Sequence, residues 1–295
     1  MSAAHPIIAV TGSSGAGTST ARLAFEHIFR RLELRAAFVA GDSFHAFDRQ
    51  TMAERTDRAT IRGEHFSHFG PSANLLDRLE TLFRAYGETG CGTVRDYLHD
   101  EDEAARWGQE VGTFTPWREL DKDTDLLLYE GLHGAFVSEH CDVARHADLL
   151  VGMVPTVNLE WIQKIHRDTA ERGYKPEDVT KTILRRMHDY VHHITPQFSR
   201  THINFQRVPL VDTSDPFVAR DVPTDDESLA VIRFATPLKF QVDFQYLLAM
   251  LHQSYMSRPN TIVVPGGKLR MAMEVIFMPL IRDLVDNRHL HIAAR

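Results

Sequence analysis

The sequence predicts an α/β protein, a three-layer sandwich in which a mixed, mostly parallel sheet is flanked by helices. Three observations predict it. Short apolar runs alternate with stretches of helical periodicity, the pattern of successive β–α–β units. A glycine- and serine-rich loop separates the first apolar run from the first helical stretch. The chain of 295 residues is long enough for one large core with insertions, and it contains no repeat and no low-complexity tract.

Taken in order, the apolar runs predict strands at 7–10, 36–40, 126–129, 149–154, 208–211, 229–234 and 261–264. The helical stretches predict helices at 19–31, 73–86, 158–172, 176–192, 244–253 and 268–286. Residues 91–125 are acidic, contain glycine and lack a clear period, so they read as a long surface excursion. The expected organisation is one domain over 1–295, with insertions near 45–70 and 90–125 and a lid region near 157–195.

Composition removes several function classes. The net charge of -7 opposes broad binding to nucleic-acid phosphates, which needs a basic face. No run reaches the roughly 18–20 apolar residues of a membrane helix. The start of the chain shows no signal-peptide pattern, and Cys91 and Cys141 stand far apart in no metal or redox spacing. A reduced, cytoplasmic setting is expected. His188 and His192 sit four residues apart on an expected helix, but with no third ligand at a suitable spacing they make no metal site by themselves.

The loop itself runs Gly12, Ser13, Ser14, Gly15, Ala16, Gly17, Thr18, Ser19, Thr20 between a strand and a helix. Glycines let such a backbone curl so that successive N–H groups point at phosphate oxygens, and the helix behind it adds a partial positive charge. These nine residues are the expected ATP-binding loop, with Ser19 placed to offer a hydroxyl to Mg²⁺. The arrangement implies a P-loop nucleoside-triphosphate hydrolase-like fold. The usual loop lysine is replaced by Thr18, so a cation must come from elsewhere in the chain. The stretch 158–173 supplies one, because Lys164, Arg167, Asp168 and Arg172 share a helical stripe. The same residues would also suit i, i+4 ion pairs on a solvated face.

On the acceptor side, Asp42 follows the second strand, where a carboxylate faces the ligand crevice and can take a proton from an attacking hydroxyl. His45 and Arg49 follow and could hold an anionic group. Glu130 ends the third strand, at the second Mg²⁺ position of P-loop proteins. Capping roles are the plainer alternative for both carboxylates.

Together these segments resemble phosphoribulokinases of the shorter, bacterial type, over nearly the whole chain. The matching pieces are GSSGAGTST at 12–20, GDSFHAFDR at 41–49, HFSHFGPSANLLDRLE at 65–80, YLHD at 97–100, FTPW at 114–117, YEGLHG at 129–134, VNLEWIQKIHRD at 157–168 and INFQRVPLVDTS at 203–214. The loop and the IxRDxxxRG pattern at 165–173 are shared with uridine kinases and related enzymes. The resemblance implies transfer of the ATP γ-phosphoryl group to O1 of D-ribulose 5-phosphate, giving the 1,5-bisphosphate of the Calvin cycle. It implies Asp42 as catalytic base, Lys164 and Arg167 as cations on the transferring group, and Glu130 and Asp168 as metal or catalytic carboxylates. It also implies His45, Arg49, His99 and Arg172 as sugar-phosphate contacts. Homo-oligomers, often octamers, activation by NADH and inhibition by AMP are further implications, with Arg31, Arg233 and Arg258 tied to the effectors. No cysteine occupies the loop, so the thiol switch of plant-type members is not expected. A uridine kinase-like enzyme with another acceptor and a non-catalytic ATP-binding sensor remain as alternative readings.

Overall fold

A computed structural model describes residues 5–13, 15–170, 173–219 and 221–292; for Ser19 and residues 289–292 only the backbone is described. The chain opens with β1 (Ile7–Thr11), α1 (Thr18–Arg31) and β2 (Ala36–Ala40). Helices α2 (Arg49–Arg62) and α3 (Leu76–Thr89) follow, then a ribbon of β3 (Thr93–Val94) and β4 (Arg118–Glu119) enclosing α4 (Glu101–Trp107). Next come β5 (Leu126–Gly131), β6 (Leu149–Val154), α5 (Val157–Ala170) and α6 (Pro176–Asp189). The chain then runs through β7 (Ile203–Pro209), β8 (Ser228–Phe234), α7 (Phe244–Met250), β9 (Tyr255–Arg258), β10 (Thr261–Pro265) and α8 (Leu269–Ile292).

Eight strands form one sheet in the order β2-β5-β1-β6-β7-β8-β10-β9. The first five are parallel, and β8, β10 and β9 continue the sheet in antiparallel steps. Alternate side chains of the strands feed two cores, as the two-residue period of a strand requires. Ile8, Val10, Leu128 and Val151 pack with Phe25 of α1 and Phe277 of α8, whereas Ile7, Ala9, Leu127 and Tyr129 pack with Leu79, Phe83 and Tyr86 of α3. The three-layer, mostly parallel sandwich is therefore the observed architecture. Parallel order also collects the loops after β1, β2, β5 and β6 at one edge, the carboxyl edge where α/β folds bind ligands.

Several elements differ from the sequence expectation. The strand expected at 208–211 is β7, which starts at Ile203; polar Asn204 and Gln206 interrupt the apolar pattern there. Asn204 is nevertheless buried because its amide donates to Phe198 O at 3.0 Å. Helix α2 was hidden inside an expected insertion, since it buries only Met52, Thr56 and Ala59 and leaves most of its other side chains, Ile61 included, exposed. Its ends are marked by the Asp48 cap, which accepts from Thr51 N at 2.7 Å, and by left-handed Gly63. The 91–125 excursion contains α4 and the β3–β4 ribbon, and β9 was not expected at all. The helix expected to 192 ends at Asp189 and widens into a π turn at Tyr190–Ile194. No helix of the described residues is long and apolar enough to cross a membrane.

Phe277 stands at the centre of the larger core, with its ring 4.8 Å from that of Phe25 and 5.4 Å from that of Phe205. Phe277→Ala is expected to lower unfolding free energy by about 3–5 kcal/mol. Urea unfolding measures this, and a loss below about 1 kcal/mol would contradict the packing described.

Candidate active site

The glycine loop is curled by two left-handed residues, Gly15 at φ 103° and Gly17 at φ 94°, a region L side chains avoid. Ala16 N donates to Ser13 O at 3.0 Å to close the curl, and Gly12 N donates to Gly131 O at 3.1 Å to tie it to β5. Gly17 begins α1 by accepting from Thr20 and Ala21 N at 3.1 and 3.2 Å. The loop thus meets the requirement of a phosphate cradle, a helix N-terminus behind a backbone with no side chains on its glycines. A cavity of about 150 Å³ opens beside it, bounded by Gly15, Gly17, Glu160, Gln163, Gly266 and Gly267. Ser14 lies outside the described residues, as does the side chain of Ser19, so their expected roles stay expectations.

On the other side of the edge, β2 and β5 approach so closely that a Cβ on Gly41 would lie 2.7 Å from Gly131 Cα. This pinch sets Asp42 directly beside the strand ends. Asp42 Oδ1 is 3.0 Å from His45 Nε2, and its Oδ2 is 3.5 Å from His99 Nε2. Arg49 reaches the same place, its Nη2 donating to His99 O at 3.1 Å. Burial alone would raise the Asp42 pKa, but the His45 hydrogen bond and the charges of His45, His99 and His68 outweigh it and hold it at about 2. Asp42, His45, Arg49 and His99, separated by up to 57 positions (99 − 42), therefore form one cluster.

Glu130 is in register with Val10 of β1 and with Ala40 of β2, so it ends its strand between the loop and the Asp42 segment. Asp168 is buried on α5, and both expected cations hold it. Lys164 Nζ donates to its Oδ2, while Arg167 donates to its Oδ1 from Nε at 3.1 Å and from Nη2 at 2.9 Å. Burial opposes a charged Asp168, yet these two neighbours keep its pKa below the ordinary value. The i, i+4 ion pair foreseen as the plainer role is thus present. Helices α5 and α6 carry a small core of their own, Ile165, Val179 and Ile183, with Trp161 packed against it. Arg172 lies outside the described residues.

Three arginines are expected to answer effectors. Arg233 and Arg258 are both paired with Thr261, from the strands on either side of β10. Arg31 instead borders a groove of about 1130 Å³ between α7 and α8.

Four contributors were not singled out by residue reasoning. Arg95, from the supposed surface excursion, donates to Ser43 O at 3.0 Å and to His45 O at 2.5 Å, and its guanidinium lies 3.6 Å over the Phe114 ring. Asn74 donates to His68 O and Gly70 O, which turns its Oδ1 toward His45 Nδ1 at 2.9 Å. The His68 ring lies tilted 4.1 Å from that of His45, and burial lowers its pKa to about 3. Glu160 on α5 is buried against the loop. The only available signal for the second and third was their place in the HFGPSAN stretch.

A strand, a glycine curl and a helix at the carboxyl edge of a parallel sheet, with acidic and cationic side chains around them, define a P-loop nucleoside-triphosphate-binding protein. Residues 7–214 match the family model described as Phosphoribulokinase / Uridine kinase family, and the chain belongs to that family. It is 57% identical over 289 residues to the phosphoribulokinase of Sinorhizobium medicae (strain WSM419), covering 98% of this chain and 99% of the relative. It is 58% identical over 286 residues to phosphoribulokinase 1 of Cereibacter sphaeroides, covering 97% and 98%. The solved structure of phosphoribulokinase from Rhodobacter spheroides matches with a TM-score of 0.89 and 55% identity, over 97% of this chain and 99% of that one.

Since His45 is the main influence holding Asp42 down, His45→Ala is expected to move the Asp42 titration upward from about 2 to or beyond the ordinary value of 3.8. Carboxyl carbon NMR reads this directly; a midpoint left near 2 would contradict it.

Proposed function

We infer that this chain is an ATP-dependent phosphoribulokinase, which transfers the γ-phosphoryl group of ATP to O1 of D-ribulose 5-phosphate and yields D-ribulose 1,5-bisphosphate. The observation that carries the inference is the cluster of Asp42 with His45, His99 and Arg49 beside the glycine loop. A nucleoside acceptor has no anionic group for the Arg49 guanidinium, whereas a sugar phosphate does. A sensor without catalysis has no need of a carboxylate set among them.

In this reading the loop amides and the N-terminus of α1 hold the triphosphate. His45, Arg49, His99 and Arg172 hold the 5-phosphate and turn O1 toward the γ-phosphorus. Asp42 accepts the O1 proton as the new P–O bond forms and the bond to the ADP oxygen breaks. A carboxylate with a pKa of about 2 is a weak base, but it is fully ionised at neutral pH. Phosphoryl transfer through a loose transition state asks for the proton late, when the attacking oxygen has become acidic. Lys164 and Arg167 exchange their contact with Asp168 for the charge building on the transferring group, supplying what Thr18 does not.

Glu130, Asp168 and Ser19 are the residues that would hold Mg²⁺. When bound, that ion neutralises phosphate charge. Carboxylates and a hydroxyl are the hard oxygen donors such an ion takes. We further read 157–195 as a lid and the segments near 45–70 and 90–125 as insertions in a single domain. Homo-oligomers (octamers among them), NADH activation and AMP inhibition through Arg31, Arg233 and Arg258, and a cytoplasmic location belong to the same reading.

An ADP-release assay with ribulose 5-phosphate and with uridine tests the acceptor; turnover confined to uridine would overturn the reading. Asp42→Asn is expected to leave ATP affinity within about twofold and to lower kcat by about 10²–10⁴. Arg49→Ala is expected to raise KM for the sugar phosphate by about tenfold or more, as loss of a charged hydrogen bond implies. An unchanged KM would remove Arg49 from the phosphate site.

A further inference from the structure

Glu160 is a buried acid that the mechanism above does not use. It lies in the first turn of α5, with 6% of its surface exposed, and Ser13 Oγ of the phosphate loop donates to its Oε1. The partners are 147 residues apart in sequence. A Cβ on Gly15 would sit 3.4 Å from Glu160 Cγ, so α5 rests on the crest of the loop. The contact is to a loop side chain, which leaves backbone N–H groups to a ligand. The Tyr190 hydroxyl, in the π turn after α6, also bonds to Glu160, so both arms of the α5–α6 hairpin meet at this carboxyl.

Helical geometry turns this contact into a ruler. Lys164 and Arg167 follow Glu160 by four and seven residues, so they share its face. They stand about 6 and 10 Å further along the axis. Fixing Glu160 to the loop therefore fixes how far both cations stand from any phosphate the loop holds.

We propose that Glu160 is a positioning residue that latches α5 to the phosphate loop through Ser13, and so sets the register of Lys164 and Arg167 against the bound triphosphate. The register half rests on the reading of the loop as the triphosphate cradle; the latch itself does not. Burial raises the Glu160 pKa to about 7 despite the Ser13 and Tyr190 hydrogen bonds and the charge of Lys164, the groups that face it from the loop, from the π turn and from α5 itself. Its neutral form, prevalent below that pH, is the one that tolerates a neighbouring triphosphate.

Glu160→Ala, Ser13→Ala, the double variant and Glu160→Gln test the proposal. Each alanine change is expected to lower kcat about tenfold to a hundredfold, the scale of a misplaced catalytic group. The double variant should be no slower than the worse single variant, because both remove one bond. In the nucleotide-free protein, amide exchange of the loop and of the first turn of α5 should quicken about tenfold or more in Glu160→Ala. Glu160→Gln keeps an acceptor for Ser13 and should stay within about threefold of wild-type kcat. It should also lose the fall in ATP affinity expected of the wild type as pH rises through 7. Multiplying losses in the double variant, unchanged loop exchange in Glu160→Ala, or a glutamine variant as slow as the alanine one would each overturn the latch. A wild-type chain that does not bind ATP would instead overturn the cradle reading and the register with it, while the exchange result still decides the latch.

Discussion

Threonine at position 18 leaves the phosphate loop without a side-chain cation of its own, and much of the surrounding structure answers that constraint. A loop of backbone amides can orient a triphosphate, but amide dipoles offset only part of its charge. The cations available, Lys164 and Arg167, sit on α5, a helix outside the two large cores. They neutralise Asp168, so none of the three is buried as an isolated charge. The arrangement holds both signs of charge on one helix face.

The acceptor side is built on the opposite logic. There a carboxylate is kept ionised by its surroundings, with His45 and His99 on its two oxygens. The segment carrying Asp42 and His45 is braced from behind by Arg95, which takes two backbone carbonyls and lies over the rings of Phe114 and Trp117. Asn74 braces the His45 ring from the far side. The residues that face the crevice are few, but those that aim them come from three separate stretches of chain.

The layers of the fold were legible because strands buried on both faces must be apolar along their length, as Leu126–Gly131 and Leu149–Val154 are. The glycine loop was legible because its spacing is local. Helix α2 was not, since a helix that buries three side chains leaves almost no period to read. Strand β7 was displaced for a related reason, as Asn204 is polar yet buried through hydrogen bonds that only the tertiary structure supplies. In the site, Asp42, His45 and Arg49 lie close together in sequence and are readable as a unit, whereas His99 joined them only through family resemblance. Glu160 carried no signal beyond its place in the matching stretch 157–168. Its partner is a loop serine far away in sequence, and a glutamate in a helix has many plainer uses.

The α5–α6 hairpin is held together by three buried aliphatic side chains, while the body of the molecule rests on two extensive cores. In the lid reading, heat tolerance and working speed fall to different parts of the chain. Substitutions at Ile165, Val179 or Ile183 would retune how readily the hairpin moves while the melting behaviour stays with Phe25, Phe83 and Phe277. Lineages adapting this enzyme to cold or hot habitats could adjust one property without surrendering the other.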